Sequence, residues 1–157
     1  MTPEHRLTEF KIELPPAPKP AGLYRPVVIV DGLAYLSGHL PTKADGTLLC
    51  GRLGDGLDLA AGQEAARRCG LAMLATLRGH LGSLDLVTRL IKLLGLVNAS
   101  PDFVDHPKVI NGCSELFADV FGPEHGVGAR SALGVASLPA NAAVEIEAIF
   151  EVEAPAD

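Results

Sequence analysis

The sequence predicts an α+β domain in which two helices cover one β-sheet, with elements in the order β-β-α-β-α-β-β. Its clearest element is the segment 144–153, where apolar residues alternate with mostly acidic ones, the period of a strand with one buried face. Two longer segments, near 58–82 and 105–121, carry apolar residues at the spacing of one helix face. Short apolar runs bounded by turn residues predict the remaining strands. One sheet beside two helices forms an α+β sandwich.

Length and composition fit a single domain. A chain of 157 residues can bury a substantial core, and 48% hydrophobic against 20% charged residues excludes disorder over most of its length. The net charge of −6 disfavours nucleic acid as a partner, because phosphate neutralisation needs clustered Lys and Arg. Arg67-Arg68 is the only adjacent basic pair.

The cysteines and histidines form no metal-site motif. Cys50, Cys69 and Cys113 are odd in number and widely spaced, which is typical of reduced thiols, and the five histidines are scattered. The chain has no apolar run of 18 residues, and its first residues lack the pattern of a signal peptide. We therefore expect a soluble, cytoplasmic protein without a metal or a membrane partner.

Residues 1–20 precede the predicted core, which spans 21–153. Thr2 and Pro3 are suited to the N-cap and first position of a helix, which we expect to extend to about Phe10. Four prolines between residues 13 and 20 then favour an extended linker. We expect this N-terminal extension to pack on the surface of the domain or against a neighbouring subunit.

The first half of the core contains a hairpin and a long helix. Asp31-Gly32 is suited to a two-residue turn between strands at 27–30 and 33–37. After a turn-rich loop at 41–56, Asp58 can cap a helix that glycines end at positions 79 and 82. A glycine within the apolar stripe of this helix is expected to let it approach the sheet closely. The stripe consists of Ala66, Gly70, Met73, Leu77 and Leu81.

The second half of the core begins with residues 86–97, which are so continuously apolar that they predict a strand central in the sheet. Asp105 and Pro107 are expected to open the second helix, and Gly122-Pro123 to close it. Its apolar stripe consists of Phe103, Ile110, Cys113, Phe117 and Phe121.

The last two predicted strands bring charged residues to a candidate site. Residues 129–136 have the pattern of a strand, and a turn at 138–141 leads to the strand at 144–153. If the two strands are neighbours, Arg130 and a glutamate of the last strand meet beside a pocket. Glutamates two apart on a strand lie about 6.5–7 Å from each other, so their row needs water or a cation opposite. A surface salt bridge is the alternative interpretation, and Glu147 is interpreted as structural.

Four motifs in this order resemble those of a known family. Gly22-Leu23-Tyr24 precedes the first strand, and Leu36-Ser37-Gly38-His39-Leu40-Pro41 ends the second. Ile110-Asn111-Gly112-Cys113-Ser114-Glu115-Leu116-Phe117 lies on the second helix. Arg130-Ser131, a later Leu-Pro and Val144-Glu145-Ile146-Glu147-Ala148 form the C-terminal signature. Together they are similar to the reactive intermediate deaminase family, also called the YjgF/YER057c/UK114 or L-PSP endoribonuclease family.

The resemblance implies a chorismate-mutase-like fold, with one mixed sheet covered by two helices, and a homotrimer with sites between subunits. It implies hydrolysis of enamine or imine intermediates of amino-acid metabolism to 2-oxo acids and ammonia. Arg130 would then grip the substrate carboxylate, to which a planar guanidinium is suited, and Glu145 would orient the attacking water. The implied substrate-binding set is completed by Tyr24, Ser37, Gly38 and Asn111. This chemistry needs positioning and one general acid/base, without a metal or organic cofactor.

Each of these residues also has a structural interpretation. Arg130 can belong to a surface ion pair, and Glu145 can be a solvated strand residue. Tyr24 can be a core aromatic with a polar tip, Ser37-Gly38 can be an ordinary strand end, and Asn111 can bind a local backbone group.

Four positions depart from the family pattern: Leu23 replaces Pro, His39 replaces Gln, Ser114 replaces Tyr and Ala132 replaces Cys. These departures leave substrate size and rate open. One alternative to a deaminase is a non-catalytic module that binds a small carboxylate through Arg130. A third interpretation is an endoribonuclease, against which the acidic charge and the lack of a His pair count.

Overall fold

The computed structural model describes residues 1–153 and confirms the α+β sandwich. Three α-helices and seven strands form it. The helices are α1 (Pro3–Glu9), α2 (Leu59–Leu81) and α3 (His106–Phe121), and the strands are β1 (Val27–Val30), β2 (Leu33–His39), β3 (Arg52–Leu53), β4 (Gly56–Leu57), β5 (Val87–Asn98), β6 (Ala129–Val135) and β7 (Val144–Val152). No helix within the described residues is long and apolar enough to span a membrane.

The main sheet has five strands in the order β1-β2-β7-β5-β6. All neighbours are antiparallel except β5 and β6, which run parallel, so the sheet is mixed. The expectation that the last two strands can be neighbours is therefore wrong. A parallel pair needs a crossover, which α3 supplies, and this crossover places β6 outside β5. β7 then pairs with the other edge of β5, so β5 separates the two C-terminal strands.

The core lies between the sheet and the α2–α3 pair. The alternation of β7 is confirmed, because Val144, Ile146, Ala148, Phe150 and Val152 are all buried. Phe150 contacts Phe117 and Phe121 of α3, with ring centroids 5.4 and 5.7 Å apart and the rings inclined to each other. Tilted aromatic contacts of this kind add stability beyond the burial of their area.

Two glycines of α2 do not act as expected. Gly70 is buried, but a Cβ there would meet Leu116 and Cys113 of α3 at 2.8 and 3.0 Å, so it permits close packing between the helices, not against the sheet. The helix also runs through Gly79, which costs only about 1 kcal/mol relative to Ala in a helix. It ends at Gly82, whose φ of 84° is the left-handed conformation that glycine adopts without strain.

The N-terminal extension packs on its own domain. Thr2 caps α1, Pro3 begins it, and Leu7 is buried against the core. The Glu4 carboxylate lies 2.8 Å from the Arg78 guanidinium at the end of α2. Its other oxygen accepts a hydrogen bond from the Leu84 amide. The helix is therefore attached to the same end of the domain as the α2 C-terminus.

The sheet face away from α2 and α3, called the open face below, carries both apolar and charged side chains. Val28 and Tyr35 expose 49% and 42% of their surface there, beside Lys92 and Glu147. β5 is an interior strand, fourth of five, and is fully buried on one face only. Its continuous apolar sequence arises because this open face also carries leucines, which are half-buried.

Candidate functional site

The first half of the candidate site surrounds Glu145 on the open face. A Cβ at Gly38 would overlap the Glu145 carboxylate, so glycine at this position lets the side chain lie directly on β2. The pairing of β2 with β7 shifts between Leu36 and His39, which is the signature of a β-bulge. The Ser37-Gly38 motif therefore marks the point where β2 bends around a carboxylate.

A cavity of about 440 Å³ lies over this bulge and is lined by Tyr24, Ser37, Gly38, Glu145 and Glu147, among others. Tyr24 is 48% exposed, so its interpretation as a core aromatic is wrong. The Tyr24 hydroxyl accepts a hydrogen bond from the Ala21 amide at 3.2 Å, which leaves its own proton free to be donated.

The Glu145 carboxylate is a stronger proton acceptor than an ordinary glutamate, because its pKa is raised. Its partial burial raises the pKa of this carboxyl, and the neighbouring negative charge of Glu147 raises it further. A carboxylate with a raised pKa is a stronger base. Glu147, interpreted from the sequence as structural, therefore contributes to the electrostatics of this cavity.

A buried histidine, His39, connects the bulge of β2 to helix α2 through hydrogen bonds. His39 is 4% exposed, and its ring nitrogens lie 2.6 Å from the Ser37 carbonyl oxygen and 2.8 Å from the Thr76 hydroxyl of α2. Burial lowers the pKa of His39, which favours the neutral ring. Because a carbonyl only accepts, Nδ1 carries the proton and Nε2 accepts from Thr76. Sequence reasoning identified His39 only as a departure from the family and missed this role.

The second half of the site surrounds Arg130, on the helix-covered side of β6. Arg130 Nη1 donates to Asn111 Oδ1 at 2.7 Å and to Ser114 Oγ at 3.1 Å. Asn111 therefore binds the arginine and not a local backbone group. Ser114, noted from the sequence only as a departure, is a second partner of the guanidinium. The spacing of three residues between Asn111 and Ser114, which places both on one face of α3, was the available indication.

The cavity beside Arg130 measures about 330 Å³ and is lined by Leu90, Leu93 and the Gly126–Gly128 loop. Within residues 1–153 Arg130 forms no ion pair. Two neutral oxygens orient its guanidinium without neutralising its charge. The remaining N–H groups are suited to a carboxylate, which an arginine can bind with two parallel hydrogen bonds.

Arg130 and Glu145 do not meet within one chain. Arg130 is in register with Leu93 of β5, which is in register with the buried Ala148 of β7. Glu145 is three rows away, opposite Leu96, and points to the open face. Strand geometry places the two Cα atoms about 14 Å apart. The expectation that the two side chains meet beside a pocket is therefore wrong for a single chain, and so is a salt bridge between them.

Neither half contains a metal-binding cluster or a reactive thiol. Among the described residues, no three His, Cys, Asp or Glu side chains come together in a group able to hold a metal ion. Cys69 and Cys113 are buried between the helices and the sheet, and burial raises the pKa of both thiols. Such thiols remain protonated and are poor nucleophiles.

A mixed five-stranded sheet, two long helices on one face and a polar cleft on each side of the sheet define a chorismate-mutase-like α+β protein. The chain belongs to the family described as YjgF/chorismate mutase-like, putative endoribonuclease, whose model matches residues 4–151. The family resemblance carried by the four sequence motifs is thereby confirmed, together with the fold that it implied.

Individual relatives match over nearly the whole chain. Protein TCP17 of Trypanosoma cruzi is 42% identical over 146 residues, which cover 93% of this chain and 91% of that protein. The crystal structure of Atu1372 from Agrobacterium tumefaciens is 42% identical, with a TM-score of 0.87, and the match covers 97% of this chain and 94% of that one. A putative endoribonuclease from Shewanella oneidensis MR-1 is 31% identical, with a TM-score of 0.91 and coverage of 97% and 100%.

Proposed function

We propose that the protein is an enamine/imine deaminase, which hydrolyses reactive intermediates of amino-acid metabolism to 2-oxo acids and ammonia. The observation that carries the proposal is the Glu145 carboxylate, half-buried over Gly38 and raised in pKa inside an open cavity. A group of this kind can take a proton from water near neutral pH and return it to a leaving amine.

The proposed active site is shared between subunits of a homotrimer. Arg130 and Glu145 face opposite sides of the sheet, so a site that uses both needs the Arg130 half of one subunit and the Glu145 half of its neighbour. The exposed apolar side chains of the open face, Val28 and Tyr35 among them, favour an assembly that covers this face.

The chemistry follows from these two halves. Arg130 would bind the substrate carboxylate through its free N–H groups and thereby fix the C=N carbon. Glu145 would take a proton from a water as the water oxygen bonds to that carbon of the protonated imine, which gives a neutral carbinolamine. Return of the proton to nitrogen would let the C–N bond break, and loss of the hydroxyl proton would yield the 2-oxo acid and ammonia. The Tyr24 hydroxyl is available as a further donor in the same cavity.

The raised pKa of Glu145 favours catalysis over simple binding, because a carboxylate ligand gains nothing from a basic carboxylate nearby. Neither cavity is lined by a histidine in the part of the chain that the structure describes. An endoribonuclease that depends on histidine as acid and base has therefore less support here than a deaminase. The remaining alternative is a non-catalytic module that holds a small carboxylate at Arg130.

The test generates the imine in situ with an amino-acid oxidase and follows its trapping by semicarbazide. A deaminase suppresses semicarbazone formation at a small fraction of the imine concentration, with 2-oxo acid and ammonia appearing faster. A binding module suppresses it only in proportion to its own concentration. Stoichiometric suppression, or none, would contradict the proposed activity.

A further inference from the structure

A third polar cavity lies at the end of β6, away from both halves of the candidate site. It measures about 350 Å³, shares no lining residue with the Arg130 or Glu145 cavities, and is called the Arg52 cavity below. Its wall carries one permanent cation and two further polar side chains. The lining residues are Arg52, Ala99, Ser100, Pro101, Phe103, His106, Gly134, Val135 and Ala136.

Arg52 lacks partners in this cavity. Its Nε is the only buried side-chain nitrogen or oxygen within residues 1–153 that has no hydrogen-bond partner. The guanidinium also forms no ion pair with any described residue. Native proteins rarely leave a buried donor unsatisfied, so this exception needs an explanation, and a bound water or ion is one of them. Because Nε itself is buried, a ligand in the cavity would meet the two Nη groups, which make no hydrogen bond within residues 1–153. Their N–H groups together match two oxygens of a carboxylate or phosphate group.

The two other polar side chains of the cavity wall, Ser100 and His106, pack closely against glycines. Gly54 has a φ of 80°, and a Cβ there would overlap the Ser100 hydroxyl. A Cβ at Gly134 would lie 2.5 Å from His106 Nε2, so the imidazole rests on the backbone of β6. The Phe103 ring meets the His106 ring edge-on, with centroids 5.4 Å apart. Neither the Ser100 hydroxyl nor the His106 ring makes a hydrogen bond within residues 1–153, so the polar atoms of both residues keep their hydrogen-bonding capacity at the cavity wall.

The local backbone adds positive potential. His106 is the first residue of α3, and the side chain of its N-cap residue, Asp105, makes no hydrogen bond to the first-turn amides. Asp105 instead pairs with Lys108 at 3.2 Å, which balances its charge. Uncapped amides at a helix start favour an anion, and His106, the first residue of this helix, lines the cavity.

We propose that the Arg52 cavity binds a small oxyanion, a carboxylate or phosphate group. Arg52 holds two of its oxygens, and Ser100 and His106 donate to the same two oxygens of a carboxylate or to the further oxygens of a phosphate. This binding site is separate from the proposed deaminase site, so either can exist without the other.

The experiment titrates the ¹⁵N-labelled full-length protein with sodium acetate and, separately, with inorganic phosphate. The pH is fixed and sodium chloride keeps the ionic strength constant. We expect saturable shifts of the Ser100, His106 and Gly134 signals, and the anion that saturates at the lower concentration identifies the preferred group. Signals from the Arg130 cavity report any binding of acetate there independently.

The decisive variant is Arg52→Gln, with Arg89→Gln as its matched control. Arg89 is exposed on β5 and does not line the cavity, so both changes remove one positive charge. We expect Arg52→Gln to weaken the saturable binding at least about tenfold and Arg89→Gln to leave it unchanged. Should Arg52→Gln fail to fold, Arg52→Lys and Ser100→Ala replace it, and each is expected to weaken the binding. Absence of saturable shifts, or equal effects at positions 52 and 89, would mean that the cavity holds solvent only and would overturn the proposal.

Discussion

The Arg130 and Glu145 cavities show two different ways of preparing a charged side chain. Arg130 is oriented by two neutral hydrogen-bond acceptors on α3, which fix the guanidinium and leave its charge unpaired. Glu145 is positioned by packing on a glycine, and partial loss of water makes it more basic. A direct salt bridge would have cancelled both properties. The separation of the two residues on opposite faces of the sheet therefore keeps each of them available for a ligand.

The largest effect on imine hydrolysis is expected from substitution of Glu145. Glu145→Gln keeps the size of the side chain but cannot accept a proton, so imine hydrolysis should fall by about 100-fold or more. Affinity for a 2-oxo acid should survive, because Arg130 is untouched. The control is Glu151→Gln, which changes an exposed glutamate of the same strand and should keep full activity. Wild-type turnover in the Glu145 variant would remove this residue from the mechanism.

The stability of the same variant distinguishes a functional carboxylate from a structural one. The pKa of Glu145 is raised in the folded state, so the folded protein binds its proton more tightly than the unfolded chain does. The resulting stability is present below the unfolded pKa and is lost as pH rises through the folded pKa. At pH 7 Glu145→Gln should therefore melt at the same or a higher temperature than the wild type, with the difference shrinking in acid. A clear loss of thermal stability at pH 7 would indicate a structural role.

The cationic half should respond to the shape of the cation as well as to its charge. Arg130→Lys retains the charge, but an ammonium cannot bind Asn111, Ser114 and a bidentate carboxylate at once. We expect activity to fall at least about tenfold, equal to roughly 1.4 kcal/mol of transition-state binding. Affinity for a 2-oxo acid should fall as well, in contrast to Glu145→Gln. The control, Arg89→Lys, should behave as the wild type, and unchanged turnover at position 130 would contradict carboxylate binding there.

A smaller effect concerns Glu147, whose charge helps to raise the pKa of Glu145. Glu147→Gln removes that repulsion, so the pKa of Glu145 should fall. Because the reaction needs the deprotonated carboxylate, the acid limb of the profile of kcat/KM against pH should move to lower pH. Glu151→Gln again serves as the control. An acid limb that stays in place would show that another group controls it.

The smallest effect is expected at His39, which binds the Ser37 carbonyl beside the Glu145 cavity but does not line that cavity. Burial lowers the pKa of His39, so the folded state resists protonation that the unfolded chain accepts below about pH 6.5. The wild type should therefore lose stability as pH falls below that value. His39→Gln should lose less, as measured by melting temperatures at pH 7.5 and 5. Equal losses in the two proteins would mean that His39 takes a proton without cost.

The difference between what the sequence predicted and what it did not has a physical cause. The buried face of β7 and the apolar stripe of α2 follow from local periodicity, and they are confirmed. The stripe of α3 is confirmed except for Phe103, which lies before the helix and is partly buried. The order of strands depends on which edge of β5 the chain reaches after α3, and no local pattern around Arg130 encodes that choice. The sequence therefore identified Arg130 as a candidate and misjudged its neighbour.

The site partners were missed for a related reason. Ser114 and His39 matter through what they contact, Arg130 in one case and Thr76 in the other, and those contacts join elements distant in the chain. Gly38 was placed in the substrate-binding set by resemblance alone, and its packing against the protein's own Glu145 could not be predicted from the sequence. A glycine in the sequence predicts that another group packs closely against the backbone there, but only the fold determines which group that is.

The central claim, that one subunit supplies Arg130 and its neighbour supplies Glu145, is tested most directly by mixing two variants with impaired activity. Arg130→Lys and Glu145→Gln are co-expressed with different tags, and oligomers that carry both tags are purified and assayed for imine hydrolysis. In a trimer that carries both tags, one of the three sites has both native residues, because each site draws on two neighbouring subunits. We therefore expect activity from about one third of the sites. Mixed oligomers no more active than the parent variants would contradict the claim and would place at least one of the two residues outside the reaction.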